Sequence, residues 1–138
     1  MVDSKKTLPK HCGFVAVVGM PNAGKSTLIN AVVGEKVSIV SNKAQTTRCR
    51  VLGIMIHQER HQIIFIDTPG IFNAQKNIEH AMVNAAFDSI EDADCVLHLV
   101  NADDKRAIEN AQNLQQKLPK NKPVFLALNK IDLVRKAD

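Results

Sequence analysis

Residues Gly19-Met20-Pro21-Asn22-Ala23-Gly24-Lys25-Ser26 set two glycines, a lysine and a hydroxyl at the spacing of a phosphate-binding loop. They follow the apolar run Phe14-Val15-Ala16-Val17-Val18 and precede the helix-compatible stretch from Thr27 to Val33, which is the strand-loop-helix context the chemistry requires. Glycines let the backbone curl so that successive N–H groups point inward at phosphate oxygens, and the following helix adds the positive end of its dipole. In that frame Lys25 reaches the β- and γ-phosphates and the Ser26 hydroxyl ligates Mg²⁺. Gly19, Pro21, Asn22, Ala23, Gly24 and Thr27 complete the expected phosphate cradle.

Two further groups of residues carry chemistry. The apolar run Ile63-Ile64-Phe65-Ile66 ends in Asp67-Thr68-Pro69-Gly70, placing a carboxylate and a glycine N–H at the end of a strand. Ligands of open α/β sheets lie beyond those strand ends, so Asp67 is expected to hold Mg²⁺ and the Gly70 N–H to sense a γ-phosphate. After a second apolar strand, Val124–Leu128, come Asn129-Lys130-Ile131-Asp132. A carboxylate at Asp132 can accept from guanine N1–H and the 2-amino group, Asn129 can bond the other edge of the base, and Lys130 can cover the ring. Adenine would leave that carboxylate unpaired, a mismatch that sites of this kind penalise by about 10⁴ or more. Between these groups Ala44-Gln45-Thr46-Thr47-Arg48 lies in a polar stretch, Glu35–Thr47, read as a mobile loop. A threonine there, Thr47 with Thr46 as the competitor, can complete Mg²⁺ coordination while a γ-phosphate is present and release after hydrolysis.

Short strands and longer periodic segments must position these residues. Strands are expected at Phe14–Gly19, Arg50–His57, Gln62–Asp67, Cys95–Asn101 and Val124–Asn129. Helices are expected at Lys25–Gly34, Ile78–Ile90 and Ala107–Leu118, the last stopping before Pro119. The alternation predicts an α/β fold with a mostly parallel sheet and helices on both faces. Only Gln58-Glu59-Arg60-His61 joins the second and third strands, too few residues for a crossover, so the second strand is expected as an antiparallel edge.

The bulk properties narrow the function classes. A chain of 138 residues, 45% apolar, is about one globular domain. No apolar run approaches the roughly twenty residues a membrane-spanning helix needs, and the polar N-terminus lacks a secretory core, so a cytoplasmic setting is expected. Cys12, Cys49 and Cys95 form no CxxC pair and are read as reduced thiols, Cys95 in the core. The five histidines, His11, His57, His61, His80 and His98, show no metal-ligand spacing, and mid-strand His98 reads as a satisfied core histidine. A net charge of +4, scattered along the chain, does not by itself point to nucleic acid. Asp103 and Asp104 are expected to cap the following helix.

Taken together, GMPNAGKST, KAQTTR, DTPGIF and NKID at these separations resemble the Era-type GTPases, ribosome-assembly enzymes of the translation-factor-related class. The stretch Glu35–Arg48 is the most discriminating part of the likeness, which runs from about Gly13 to Asp132. The resemblance implies a three-layer P-loop G domain that hydrolyses GTP to GDP with Mg²⁺, in which Lys25, Thr47 and Gly70 act on the γ-phosphate. It further implies binding to the small ribosomal subunit and its rRNA through a KH domain, association of the whole protein with the inner-membrane surface, and a monomeric state. Residues 1–12 would be a tail and 13–138 a partial G domain lacking its last strand, last helix and KH domain. Ile71 stands where many GTPases orient water with glutamine. Some relatives of the family use K⁺ held by an asparagine at the position of Asn22, which implies a K⁺ site here. A guanine-nucleotide-binding fragment or adaptor without turnover, or a GTPase of the neighbouring tRNA-modifying or tandem-domain families, are the alternative readings.

Overall fold

The computed structural model describes residues 10–38, 50–71, 75 and 77–134. In chain order these form β1 (His11–Val18), α1 (Lys25–Val33), β2 (Val51–His57), β3 (His61–Asp67), α2 (Asn77–Asp92), β4 (Cys95–Asn101), α3 (Ala107–Lys117), β5 (Val124–Asn129) and a 3₁₀ turn, Ile131–Leu133. The strands make one sheet in the order β2-β3-β1-β4-β5. All neighbours are parallel except β2 and β3, which form the expected antiparallel hairpin. Its turn closes with Arg60 N–H donating to the His57 carbonyl at 3.2 Å. Gln58 and Glu59, at φ 51 and 56, supply the left-handed pair that matches the twist of the strands.

The main departure from sequence expectation is the start of β1. The apolar signal begins at Phe14, yet pairing with β3 runs from His11↔His61 onward. The ladder of the neighbouring strand, not side-chain hydrophobicity, sets that end. Cys95 is another correction: it opens β4 at the rim of the sheet and is half-buried, outside the core, with a free thiol, as is exposed Cys12. Cys49 lies outside the described residues.

Strand alternation divides the packing between two faces. On one face Ala16, Val18, Ile66 and Val96 meet Ala86 and Ile90 of α2 and Leu114 of α3, joined by Ile71, Ala93 and Leu118. Burying an Ile or Leu there contributes about 1.5–3 kcal/mol. On the other face α1 lies over β2, where Gly53 has no side chain to hold it off. A Cβ on Gly53 would come within 2.8 Å of Ile29 Cγ2 and 2.9 Å of Val33 Cγ2. The far end of α2 is closed by Lys122, whose ammonium donates to the carbonyls of Ile90, Glu91 and Ala93. β5 has one sheet neighbour among the described residues, and it leaves Phe125, Leu126 and Leu128 each about 60% exposed.

Candidate functional site

β1 stands between β3 and β4, so the chain turns to opposite sides of β1 beyond its carboxyl end, and a crevice opens there. Gly19–Gly24 fill this crevice. Gly19 passes so close to β4 that a Cβ would lie 2.4 Å from the Leu99 carbonyl oxygen. Gly24, at φ 99, takes the left-handed turn into α1. Asn22 also has a positive φ, 62. Gly24 supplies no side-chain cap and the first turn of α1 contains no acidic residue. The first N–H groups of the helix, with the positive end of its dipole, are thus left to face the crevice.

Beneath the loop Lys25 is buried, with its ammonium donating to the Gly19 and Met20 carbonyls at 3.3 and 3.1 Å. Burial lowers its pKa to about 8, against an opposing pull from the Asp67 carboxylate. Ser26 Oγ donates to Asp67 Oδ2 at 2.6 Å, so the hydroxyl and carboxylate expected to hold Mg²⁺ already meet. These hard oxygen donors fit Mg²⁺, with its preference for carboxylates, hydroxyls and retained water.

The segment after β3 is fastened to the loop. Thr68 Oγ1 donates to the Val17 carbonyl at 2.7 Å, and Ile71 N–H donates to the Gly19 carbonyl at 3.0 Å. Pro69 and Gly70 are buried, and a Cβ on Gly70 would come within 2.8 Å of Pro21 Cγ. The Ile71 side chain points into the α2/α3 core, 4% exposed. It therefore supplies nothing polar to a water beside the γ-phosphate position.

The third group reaches the loop from β5. Asn129 Nδ2 donates to the Ala23 carbonyl at 2.9 Å and Lys130 Nζ to the Asn22 carbonyl at 2.8 Å. Lys130 adopts φ 58 to do so. Gly24 is again the enabling residue, because a Cβ there would lie 2.3 Å from Asn129 Nδ2. Asp132, in the 3₁₀ turn, is exposed. The structure thus brings Gly19 to Thr27, Asp67 to Gly70 and Asn129 to Asp132 to one end of the sheet. Thr46, Thr47 and Arg48 lie outside the described residues.

Sequence reasoning missed Asn30. Its Oδ1 accepts from Val37 N–H and Ser38 N–H at 3.0 and 2.8 Å, and its Nδ2 donates to the Ser38 carbonyl at 2.9 Å. This clasp fixes where the chain leaves α1 toward Thr47. An asparagine inside a helix, four residues before its capping glycine Gly34, was the one available signal. His98 differs from expectation in degree: it is buried with its pKa lowered by desolvation and bonded to Gln115, but among the described residues Nδ1 has no hydrogen-bond partner. Neither aspartate caps α3, whose N-cap is Arg106 with no side-chain cap bond: Asp104 Oδ1 accepts from Arg106 N–H at 2.9 Å in the turn before the helix, and Asp103 uses its own N–H to bond Asn101 Oδ1.

Residues 14–130 match the family of 50S ribosome-binding GTPases. The GTPase Era of Erythrobacter litoralis is 48% identical over 128 residues, covering 91% of this chain and 42% of that protein. A crystal structure of Era in complex with MgGDPNP and nucleotides 1506–1542 of 16S ribosomal RNA superposes with a TM-score of 0.84 at 45% identity, over 91% of this chain and 42% of that one. The NFeoB protein of S. thermophilus bound to GDP.AlF4⁻ and K⁺ is more distant, 28% identical with a TM-score of 0.67, over 88% of this chain and 45% of that one. The chain spans less than half the length of the curated relatives it matches.

Proposed function

The chain belongs to the 50S ribosome-binding GTPase family, and from that premise we propose that it binds GTP and hydrolyses it to GDP and phosphate as a molecular switch. The observation that carries this reading is the uncapped N-terminus of α1, held open above buried Lys25 and beside the Ser26–Asp67 pair. The N–H groups of Asn22 to Thr27 would take the α- and β-phosphates. Lys25 would exchange its two carbonyl partners for β- and γ-phosphate oxygens, a charge-assisted contact stronger than the one it leaves. Ser26 would hold Mg²⁺ directly and Asp67 through water, with Thr47 completing the set when a γ-phosphate is present. The ion supplies positive charge for phosphate oxygens that become more negative in transfer. Thr68 and Pro69 would hold the turn that presents the Gly70 N–H to the γ-phosphate. Asn129, Lys130 and Asp132 would read guanine.

Because Ile71 is buried, the stabilisation that a water-orienting side chain gives elsewhere must come from another source. We assign it to K⁺ held by Asn22, exposed at the apex of the loop. The K⁺-bound NFeoB relative supports this. Era bound to a 16S rRNA segment supports an rRNA partner and a role in small-subunit assembly; a cytoplasmic setting and an RNA-binding KH domain in a longer protein complete the proposed reading. Among the described residues no helix is long and apolar enough to cross a membrane. Association with the inner-membrane surface and a monomeric state belong to that same reading of the whole protein.

Single-turnover phosphate release from GTP is the test. Release should require Mg²⁺, run faster in K⁺ than in Na⁺, and vanish in Lys25→Ala. Equal rates in the two alkali ions would remove the Asn22 assignment, and release persisting in Lys25→Ala would remove the site. Saturable GTP binding without any release would favour the non-hydrolysing reading.

A further inference from the structure

Three of the five histidines, His57 and His61 flanking the β2–β3 turn and His11 from the start of β1, meet at the end of the sheet opposite the phosphate loop. Strand pairing sets His11 against His61 across β1 and β3, and His57 against His61 across β2 and β3. Paired positions share a face of the sheet, so the three imidazoles form a row. They share strand phase with Gly53, which places the row on the α1 side. Ring centroids are 5.2 Å apart for His11 and His61, at an interplanar angle of 17°, and 6.3 Å apart for His57 and His61, at 30°. His11 and His57 are exposed and His61 is half-buried.

We propose that His11 and His61 form a two-imidazole site for a divalent transition-metal ion of the kind that prefers nitrogen ligands, such as Zn²⁺ or Cu²⁺. Imidazole nitrogens bind these ions at about 2.0–2.1 Å, which sets the ring centres of two ligands on one ion about 4.5–5.3 Å apart for angles between square and tetrahedral. The His11–His61 separation falls inside that range and the His57–His61 separation outside it. Turning the exposed His11 side chain to aim a ring nitrogen at a shared ion leaves the directly paired Cα positions of His11 and His61 in place, and that pairing keeps the two rings within reach of one ion. Among the described residues no three His, Cys, Asp or Glu side chains are grouped to hold an ion, so water fills the remaining positions and the site is of modest affinity. Cys12 follows His11 on β1 and therefore points to the opposite face. Bound there, the ion would clip the first residue of β1 to the first residue of β3 and stabilise the folded chain in proportion to its concentration.

The test is calorimetric titration of the untagged chain with Zn²⁺, in excess Mg²⁺ and GDP so that Ser26 and Asp67 are occupied. Thermal unfolding is followed in parallel with and without the ion. One saturable Zn²⁺ per chain and a melting temperature that rises with Zn²⁺ are expected. His61→Gln and His11→Gln should each weaken binding at least tenfold while melting normally in chelator, and His80→Gln, on α2, should bind as the unmodified chain does. Absence of saturable binding would overturn the proposal. So would full binding by His61→Gln, or an equal loss in His80→Gln.

Discussion

The phosphate half and the base half of the site are built to different standards. Around the phosphate loop most of the site is buried or tied: Lys25 to two carbonyls, Ser26 to Asp67, Thr68 to β1, Ile71 to Gly19, with Asn22 alone exposed among the loop residues given a role. The base half hangs on β5, where Phe125, Leu126 and Leu128 are open to solvent, and Asp132, the carboxylate proposed to read guanine, is exposed in a three-residue turn. Two hydrogen bonds join the halves, from Asn129 and Lys130 to the Ala23 and Asn22 carbonyls. On the proposed reading, phosphate recognition is pre-organised by the sheet, while base recognition borrows its order from the loop it leans on. Pre-organisation lowers the ordering cost at binding, so the first half should supply affinity and the second selectivity.

The harshest way to break that contrast is to remove the buried ammonium. Lys25→Ala should lower GDP affinity by about 100- to 1000-fold, the scale for deleting one partner of a buried charge contact, with ADP and GDP affected alike in calorimetry. Asp132→Ala should instead cost GDP about 10- to 100-fold and leave ADP unchanged, since it removes base hydrogen bonds only. If Asp132→Ala weakened both nucleotides equally, the division into halves would be wrong. Gly24→Ala strikes the seam: a Cβ at φ 99 and 2.3 Å from Asn129 Nδ2 is strained and displaces the bridging amide. A loss of about 1–3 kcal/mol in urea unfolding is expected.

Acid should reach a different part of the fold first. His98 is held neutral by burial, its pKa below the ordinary 6.5. The unfolded chain takes up that proton first, so stability falls as pH drops below about 6.5 and levels off once the folded-state pKa is passed. His98→Gln, measured by urea midpoints across that window, should flatten the slope. The smallest effect belongs to β5. Phe125→Lys should change the urea unfolding free energy by no more than about 0.5 kcal/mol, because Phe125 is largely open to solvent.

Much of this was legible in the sequence, for a physical reason. The loop glycines, Lys25, Asp67 and Asn129 sit at ends of strongly apolar strands, and strand ends of a parallel sheet converge on one crevice whatever the detailed packing. The hairpin was legible because a four-residue link admits no crossover. Hidden were contacts that depend on how separate strands are set against one another: the bonding of Lys130 to Asn22 and a histidine row assembled from three strands. The Asn30 clasp is local, and an asparagine inside a helix is a weak sign of it. The role of Thr47 lies outside the described residues and rests on its sequence context alone.

The most direct measurement is a calorimetric titration of the 138-residue chain with GDP and with ADP in Mg²⁺ buffer. Phosphate-driven affinity with base-driven selectivity predicts saturable GDP binding, and ADP binding at least 100-fold weaker through the phosphates alone, a ratio below the about 10⁴ of a fully ordered site. Equal affinity for the two nucleotides would mean that Asn129 and Asp132 do not read the base, and no binding of either would contradict the pre-organised phosphate loop itself.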